Sequence, residues 1–448
     1  MVNSNKIDVI VLAAGKGSRM KSRTPKVLHK IYDKAMINLI LDTSSQISTN
    51  PIKIVLGYKA DLIKKEINTK FKVQYILQQK QLGTGHASQL ALKECKSEYT
   101  LILIGDCPLI QKKSITPVFK LNSDISLIST NINNPFGYGR VINNNGFVEI
   151  IEEKNASLIQ KKITEVNTGI IFGKTKILKN LVNKIKSDKI TNEKYLTSIF
   201  KISKNLKIKT GCFRSKDPSS FFGVNTTNDL KEATKIYKQR KLDQLLSKGS
   251  VLHCLENTHI FGELTCGHNV EIYPNVSFFG KVKIGNNVKI MPNCVIEESS
   301  IGDNTIILPN TCINGSIIKK NCSIGPSARI RPQSVISNNS RIGNFVEIKS
   351  SLIGMNTKVN HLSYIGDAKI GQNVNIGAGT ITCNYDGRKK HKTVIGNNVF
   401  VGSSVQLVAP IKIGHNSKIG AGSTINIDVA KNKLAIARTK KVFIKDIR

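Results

Sequence analysis

No hydrophobic run in this chain of 448 residues approaches the ~20 apolar residues that a membrane-spanning helix needs, so no membrane partner is expected. The opening MVNSNKIDVIVLAAG lacks the basic start, long apolar stretch and small-residue cleavage site of a secretory signal, which places the expected location in the cytoplasm. The nine cysteines are odd in number, scattered from Cys95 to Cys383, and never form C-x-x-C. That pattern argues against a disulfide framework or a zinc site and leaves mostly buried thiols. Acidic residues are scarce, 30 against 67 Lys and Arg, for a formal charge of +37. Such an excess invites a nucleic-acid reading. The lysines are nevertheless spread along the chain, as at Lys161-Lys162, Lys319-Lys320 and Lys389-Lys390, with no basic stripe, RNP-like aromatic motif or helix-turn-helix signature. A solvated lysine surface that helps draw in small anionic substrates is the better reading, with no nucleic-acid partner. The joint abundance of Lys, Asn and Ile points to a genome-level bias rather than to a site.

Residues 11 to 28, VLAAGKGSRMKSRTPKVL, run from an apolar strand into two glycines, a cluster of cations and a Pro-Lys pair. The stretch does not supply the G-x-x-x-x-G-K-[ST] of a Walker loop, and Met20 occupies the third glycine position of a dinucleotide fingerprint. What survives is physical: glycines let backbone N–H groups approach an anion, and Arg19 and Lys26 add charge from one side. IDVIVLAAG, IKIVLG, VQYIL and YTLILIGD read as strands buried on both faces, separated by polar or amphipathic segments, which predicts a parallel α/β sheet. Ligands then gather at the carboxyl ends of strands, where this turn and LIGDCPLI (103 to 110) both lie. Residues 228–248 carry one narrow apolar stripe at 230, 233, 236, 237, 242, 245 and 246, and read as a connecting helix.

After residue 250 apolar residues recur every sixth position: Val270, Val276, Val282 and Val288; Ile353, Val359 and Ile365; Ile413, Ile419 and Ile425. Many aliphatic positions are followed by glycine, as in Ile284-Gly285 and Ile342-Gly343. This is the hexapeptide period of a parallel β-helix, whose aliphatic residues stack inside a prism while small or polar residues turn its corners. An ordinary β-sandwich would not keep the phase. The predicted organisation is an α/β, Rossmann-like nucleotidyltransferase domain over 1–227, a connecting helix over 228–250 and the β-helix over 251–448.

LAAGKGSRM, QLGTGHA, GYGRV, VNTGI, GVN, NFVEIK, NHLSYIGDA, NIGAGTITCNYDG and VGSSVQLVAP occur in that order over nearly the whole chain. Together they resemble the bacterial bifunctional family that is both N-acetylglucosamine-1-phosphate uridyltransferase and glucosamine-1-phosphate N-acetyltransferase. The resemblance implies that Leu12, Ala13, Ala14 and Gly15 receive a uridine nucleotide, with Arg19 and Lys26 facing its triphosphate as catalytic cations. Taken alone, both could be surface charges. Gln78, Gly83 and Thr84 would read the base, Gln78 having both a donor and an acceptor for a uracil edge. Asp106 and Asn225 would bind Mg²⁺, a hard cation that takes oxygen ligands and keeps several waters. Gly139, Glu152, Asn167, Tyr195 and Asn225 would contact the sugar; Glu153 adjoins Glu152 and is an alternative to it. GYKAD at 57 to 61 departs from relatives, which usually carry His after that Gly.

In the β-helix the resemblance makes His361 the base of acetyl transfer, a role that suits an imidazole with its ordinary pKa of about 6.5. Read blind, a lone histidine in a repeat coil is more often structural. Arg331, Lys349, Tyr364, Asn375 and Lys390 would hold glucosamine-1-phosphate, three of them cations around one phosphate. Glu347 would steady the amino group or His361. Asn384 and Ser403 would orient the amine or polarise the thioester, and Ala378, Asn384, Tyr385, Ser403, Ala421 and Arg438 would border acetyl-CoA. The tail after AIARTK, KVFIKDIR, is shorter than that of many relatives, in which it helps cover the coenzyme from a neighbouring subunit. A left-handed β-helix, a homotrimer, the co-substrates UTP and acetyl-CoA, and UDP-N-acetylglucosamine for cell-wall precursors all follow from the resemblance. The competing readings are a nucleotidyltransferase whose β-helix only regulates or assembles, and a basic scaffold without catalysis.

Overall fold

Every residue of the strand Ile7–Ala13 is buried, as a strand covered on both faces requires. Its alternate residues feed two cores, Ile7, Val9, Val11 and Ala13 on one side and Ile10, Leu12 and Ala14 on the other. Asp8 is the buried exception: it accepts Lys53 Nζ at 2.6 Å and the backbone N–H groups of Lys96 and Ser97 at 2.7 and 2.9 Å. Burial pushes its carboxyl pKa up, but the Lys53 ammonium and these N–H groups outweigh that and hold it below the ordinary value.

The computed structural model describes residues 3–144, 146–189 and 191–437, and the chain divides into two units, Met1–Tyr237 and Lys238–Arg448. In the first, a nine-stranded sheet runs Thr210–Ser215, Ile125–Asn131, Glu165–Lys174, Tyr99–Ile104, Ile7–Ala13, Ile52–Leu56, Val73–Leu77, with the hairpin Arg140–Asn144 and Phe147–Ile151 attached to Glu165–Lys174. The last four strands of that order are parallel. Glu165–Lys174 lies antiparallel to both neighbours, so the sheet is mixed rather than parallel throughout. The hairpin joins it antiparallel, with Arg140 opposite Val166. The four strands read from the sequence are the parallel ones, and Glu165–Lys174, whose first half alternates half-buried and buried residues, is not among them.

The second unit is a left-handed parallel β-helix whose coils contribute short strands to two all-parallel sheets of eleven and seventeen strands. The aliphatic positions with a six-residue period form one continuous core. Corners are turned by residues with positive φ, mostly Asn, the type whose short amide tolerates the left-handed region. At one corner Asn269, Asn287, Asn304, Asn321, Asn339, Asn356 and Asn373 stack with side-chain hydrogen bonds of 3.0 to 3.1 Å, each 17 or 18 residues after the last. The next step, Asn373 to Asn398, takes 25 residues. The extra length is a loop closed by a bridge between Tyr385 and Lys390.

The helix Thr227–Leu246 carries the boundary between the units. Leu230, Ala233, Ile236 and Tyr237 pack in the first unit, and Leu242 and Leu245 in the core of the second, while Leu246 is exposed. Among the described residues no helix is long and apolar enough to cross a membrane. All nine cysteines are free; five are buried and four half-buried.

Candidate active sites

A cleft of about 610 Å³ opens at the carboxyl ends of the parallel strands. Leu12, Ala13, Ala14, Gly15, Arg19, Lys26, Gln78, Gly83, Thr84, Asp106, Tyr195 and Asn225 all line it. Lys26 Nζ lies 2.8 Å from Asp106 Oδ2 and 2.7 Å from Asn225 Oδ1, and Arg19 Nη2 donates to the same Asn225 oxygen at 2.8 Å. Gly17 makes this arrangement possible: its φ is +64°, and a Cβ there would lie 2.5 Å from Lys26 Cβ. Asn225 is held by the start of the following helix, where Asp229 Oδ2 accepts the backbone N–H groups of Asn225 and Thr226 at 2.9 and 2.8 Å. Val224 N donates to Asp106 O at 2.8 Å and docks that segment on the strand end.

The second carboxylate oxygen of Asp106 is buried without a protein partner. A buried carboxylate oxygen left bare, beside two oxygens already sharing a lysine ammonium, is a donor set that fits Mg²⁺ completed by water and phosphate oxygens. Gln78 is 3% exposed, and its Nε2 donates to Gly83 O and to His86 Nδ1, each at 3.1 Å. Its donor end is thus engaged inside the protein, where the sequence reading left both ends open. Gln81, unassigned in that reading, donates to Ala14 O at 3.0 Å and ties the base-side loop to the glycine turn.

Gly139, Glu152 and Asn167 do not line this cleft; they gather beside one another at the hairpin. Asn167 N donates to Gly139 O at 2.8 Å, and Glu152 Oε1 accepts Thr197 Oγ1 at 2.9 Å. Glu153 instead pairs with the buried Arg140 at 2.7 Å, which leaves Glu152 as the available carboxylate of the two. Tyr195 joins the two groups of residues, lining the cleft while its hydroxyl meets Thr191 at 2.9 Å and Lys154 lies over its ring.

In the second unit His361 is exposed at a coil corner, its Nδ1 2.8 Å from Asn344 Oδ1 in the preceding coil. Since that amide oxygen accepts, Nδ1 carries the proton and Nε2 keeps a free lone pair. Ala378, Ser403 and Ala421 occupy the same corner on successive coils, as shown by Ser404 N bonding Ala378 O and Gly422 N bonding Ser403 O. From His361 to Ala421 this row of small residues runs about 14 Å, three coil steps of about 4.8 Å. The residues after Asn344 and His361, Phe345 and Leu362, are exposed with φ of +56° and +48°, where earlier coils place Asn275, Asn293 and Asn310. Bulky apolar residues are disfavoured in that conformation, so the corner departs from the repeat beside the histidine.

Lys349 and Tyr364 lie on the face that follows this corner, with Arg331 one coil before Lys349. Arg331 Nη1 pairs with Glu347 Oε1 at 2.8 Å, so Glu347 serves the arginine, and Asn344 is the partner of His361. The Lys349 ammonium lies beside Lys390 and holds its pKa below the ordinary value, a sign that the two cations converge. Asn384 donates to Asp367, and a Cβ on Gly366 would lie 2.5 Å from the Tyr364 hydroxyl and 2.8 Å from Asn384 Nδ2, so only glycine lets those groups approach. Tyr385 Oη donates to Gly387 O at 2.7 Å, and Asp386 accepts the N–H groups of Arg388 and Lys389 at 2.7 and 2.6 Å, shaping the loop that presents Lys390. Asn375 lies on the face before the corner, in register with Lys358 and Phe400. A single chain therefore places the histidine row on one corner of the coil and Lys349, Lys390 and Asn384 towards the next. Arg438 lies outside the described residues.

Residues 9–131 match the MobA-like NTP transferase domain, and residues 260–335 and 317–411 match the GMPPB C-terminal domain. Among solved structures, the inositol-1-phosphate CTP transferase of T. maritima aligns with a TM-score of 0.43 at 16% identity, covering 52% of this chain and 95% of that one. The Bifunctional protein GlmU of Marinobacter nauticus is 42% identical over 440 residues, 97% of either chain. That of Vesicomyosocius okutanii subsp. Calyptogena okutanii is 43% identical over 447 residues, 98% of this chain and 99% of the relative. Identity of this level, sustained over nearly the full length of both relatives and spanning the cleft and the histidine corner alike, makes the chain a member of the bifunctional GlmU family.

Proposed function

We propose that the chain makes UDP-N-acetylglucosamine by two transfers, acetyl from acetyl-CoA to glucosamine-1-phosphate in the β-helix and uridylyl from UTP to N-acetylglucosamine-1-phosphate in the first unit. The observation that carries this reading is that the cleft residues gather in the first unit, and the histidine row and the converging cations in the second. The first unit has a cation-lined cleft at strand ends; the second has a histidine at the head of a row of small residues on one coil corner.

In uridylyl transfer the sugar phosphate oxygen forms a bond to the α-phosphorus as the bond to the β-phosphate bridging oxygen breaks. The nucleophile is already anionic, so no general base is required. Arg19 and Lys26 stabilise charge on the triphosphate and the departing pyrophosphate. Asp106 and Asn225 would hold Mg²⁺, which when bound neutralises phosphate charge. Glycines 139 and 83 keep backbone accessible to sugar and base, while Glu152 and Asn167 present acceptors and donors to sugar hydroxyl and N-acetyl groups.

In acetyl transfer His361 Nε2 takes the proton from the glucosamine ammonium. The freed amine forms a bond to the thioester carbon, the C–S bond breaks, and the proton that the attacking nitrogen sheds as the amide forms ends on the departing CoA thiolate. Asn344 keeps the imidazole in the tautomer this requires. Ala378, Ser403 and Ala421 would form the track for the pantetheine arm, with Lys349, Lys390 and Arg331 on the sugar phosphate. Because these groups occupy different corners of one coil, a neighbouring copy is needed to bring them together, and a threefold assembly does this with every corner equivalent. The cytoplasm, where acetyl-CoA and UTP are available, is the proposed location.

One assay tests the whole reading. Purified protein given glucosamine-1-phosphate, UTP and Mg²⁺ should release pyrophosphate only when acetyl-CoA is added, with CoA appearing first. Pyrophosphate release at the same rate without acetyl-CoA would sink the two-step order, and absence of CoA release would leave only the nucleotidyltransferase with a structural β-helix.

A further inference from the structure

Gln78 and His86 stand on either side of the Gly83 turn, Gln78 just after the strand Val73–Leu77 and His86 in the first turn of the helix Thr84–Lys93. A free glutamine side chain is ambidextrous. Turned one way it offers an oxygen to an N–H and an NH₂ to a carbonyl; turned over, it offers the reverse. The two pyrimidines differ in this same respect, since uracil carries a donor at N3 and cytosine an acceptor. An unrestrained Gln78 could therefore serve either base by flipping.

The structure removes that freedom. The Gly83 carbonyl can only accept, so the group facing it at 3.1 Å must be the Gln78 NH₂. Its second hydrogen then points at His86 Nδ1, also at 3.1 Å, so that ring nitrogen is the acceptor and the proton of the neutral imidazole sits on Nε2. Both N–H bonds are engaged within the protein, so turning the amide over would set Oε1 against the Gly83 carbonyl, acceptor against acceptor, and would force the His86 proton from Nε2 to Nδ1. Oε1 has no donor among the described residues, and Gln78 is part of the cleft wall.

We infer that His86 is a specificity-determining positioning residue: with the Gly83 carbonyl it locks the Gln78 amide so that only an acceptor faces the nucleobase, restricting the cleft to bases with an imide N–H. Cytosine would present its N3 lone pair to the Gln78 oxygen, an acceptor against an acceptor. The inference rests on the reading of the cleft as a uridine nucleotide site. It goes beyond that reading by assigning the choice between UTP and CTP to a residue that does not touch the base.

The test is kcat/KM for UTP and for CTP with N-acetylglucosamine-1-phosphate, in the full chain and in two variants. His86→Phe keeps the ring and removes the acceptor; His86→Asn places an amide oxygen close to where Nδ1 stood. The wild type should favour UTP by about two orders of magnitude or more. In His86→Phe that ratio should fall about tenfold, the worth of one buried hydrogen bond, while His86→Asn should stay within about threefold of wild type. Because both substrates are measured on one preparation, the ratio is insensitive to the folded fraction, and His86→Leu takes the place of the Phe variant if that one is insoluble. A Phe variant with the wild-type ratio, or an Asn variant as unselective as Phe, overturns the lock. A wild type that uses CTP as well as UTP overturns the uridine reading itself, and the inference with it.

Discussion

Replacing Asn344 by Leu tests whether the amide 2.8 Å from His361 Nδ1 is part of acetyl transfer. In the ground state it accepts one hydrogen bond from a neutral imidazole, a contribution of about 0.5–1.5 kcal/mol. As proton transfer proceeds the ring becomes cationic and the same bond is charge-assisted, of the order of 1.5–3 kcal/mol. The increase between the two states, about 1–2 kcal/mol, acts on kcat. A lost tautomer preference adds to it, because half or more of the rings would then carry the proton on Nε2. Together these predict a fall in kcat of about 10- to 100-fold with KM for glucosamine-1-phosphate within about threefold, since the role given to Asn344 is to hold the imidazole and not the sugar phosphate.

The assay follows CoA thiol release at saturating acetyl-CoA, with uridylyl transfer from supplied N-acetylglucosamine-1-phosphate as the internal control that the protein is intact. Asn344→Asp supplies a carboxylate acceptor at the same place and should retain most of the activity. Nitrogen-15 spectra of the histidine ring should show the Nδ1-protonated form in wild type and a mixture in Asn344→Leu. Should Asn344→Leu keep kcat within twofold of wild type, the 2.8 Å contact has no part in catalysis and Nδ1 must be held by another group.

Asp106→Ala should abolish the magnesium dependence of pyrophosphate release and lower its rate at least tenfold while CoA release is unchanged; a retained metal dependence would place the ion elsewhere. Lys53→Met should lower the stability of the first unit by about 3–5 kcal/mol at neutral pH, because it leaves the Asp8 carboxylate buried and unpaired. Asp8 is held below its ordinary pKa, so its stabilisation is complete above the unfolded value of about 3.9 and is lost as pH falls through the lower folded value; calorimetry should show the Lys53→Met penalty shrinking in acid. The depressed Lys390 ammonium implies faster acylation of that amine at pH 9 than of exposed lysines, and Lys349→Met should slow it to the common rate while raising KM for glucosamine-1-phosphate. Peptide mapping of partially acylated protein reads this directly.

Much of the architecture was legible in the sequence because its causes are repetitive. The six-residue aliphatic period has one structural solution, and the corner residues that close it are Asn for a reason of backbone conformation, although their side-chain ladder needed coordinates to be seen. The cleft was legible for a different reason: Arg19, Lys26 and Asp106 carry charge, and charges beside a glycine turn at a strand end have few purposes. Glu165–Lys174 escaped because Asn167, Thr168 and Gly169 interrupt its apolar run.

What the sequence could not supply were residues that act through another residue. Asn344, His86 and Asp229 have ordinary side chains in ordinary contexts, and each acts on another residue rather than on a ligand: His361 Nδ1 one coil away, Gln78 Nε2 across the Gly83 turn, and the Asn225 backbone at the start of the helix. Glu347 shows the converse. Its chemistry suited it to steady the histidine, and its alternation with Lys349 put it on a plausible face, yet Arg331 lies one coil earlier at the right height to take it. In a coiled β-structure the neighbour that decides a side chain's role lies one coil away, 16 residues for Arg331 and Glu347 and 17 for Asn344 and His361, so stacking between coils carries the information that local spacing lacks. The same stacking aligns residues along one corner parallel to the helix axis, which is why His361, Ala378, Ser403 and Ala421 form a row although whole coils separate them in the chain.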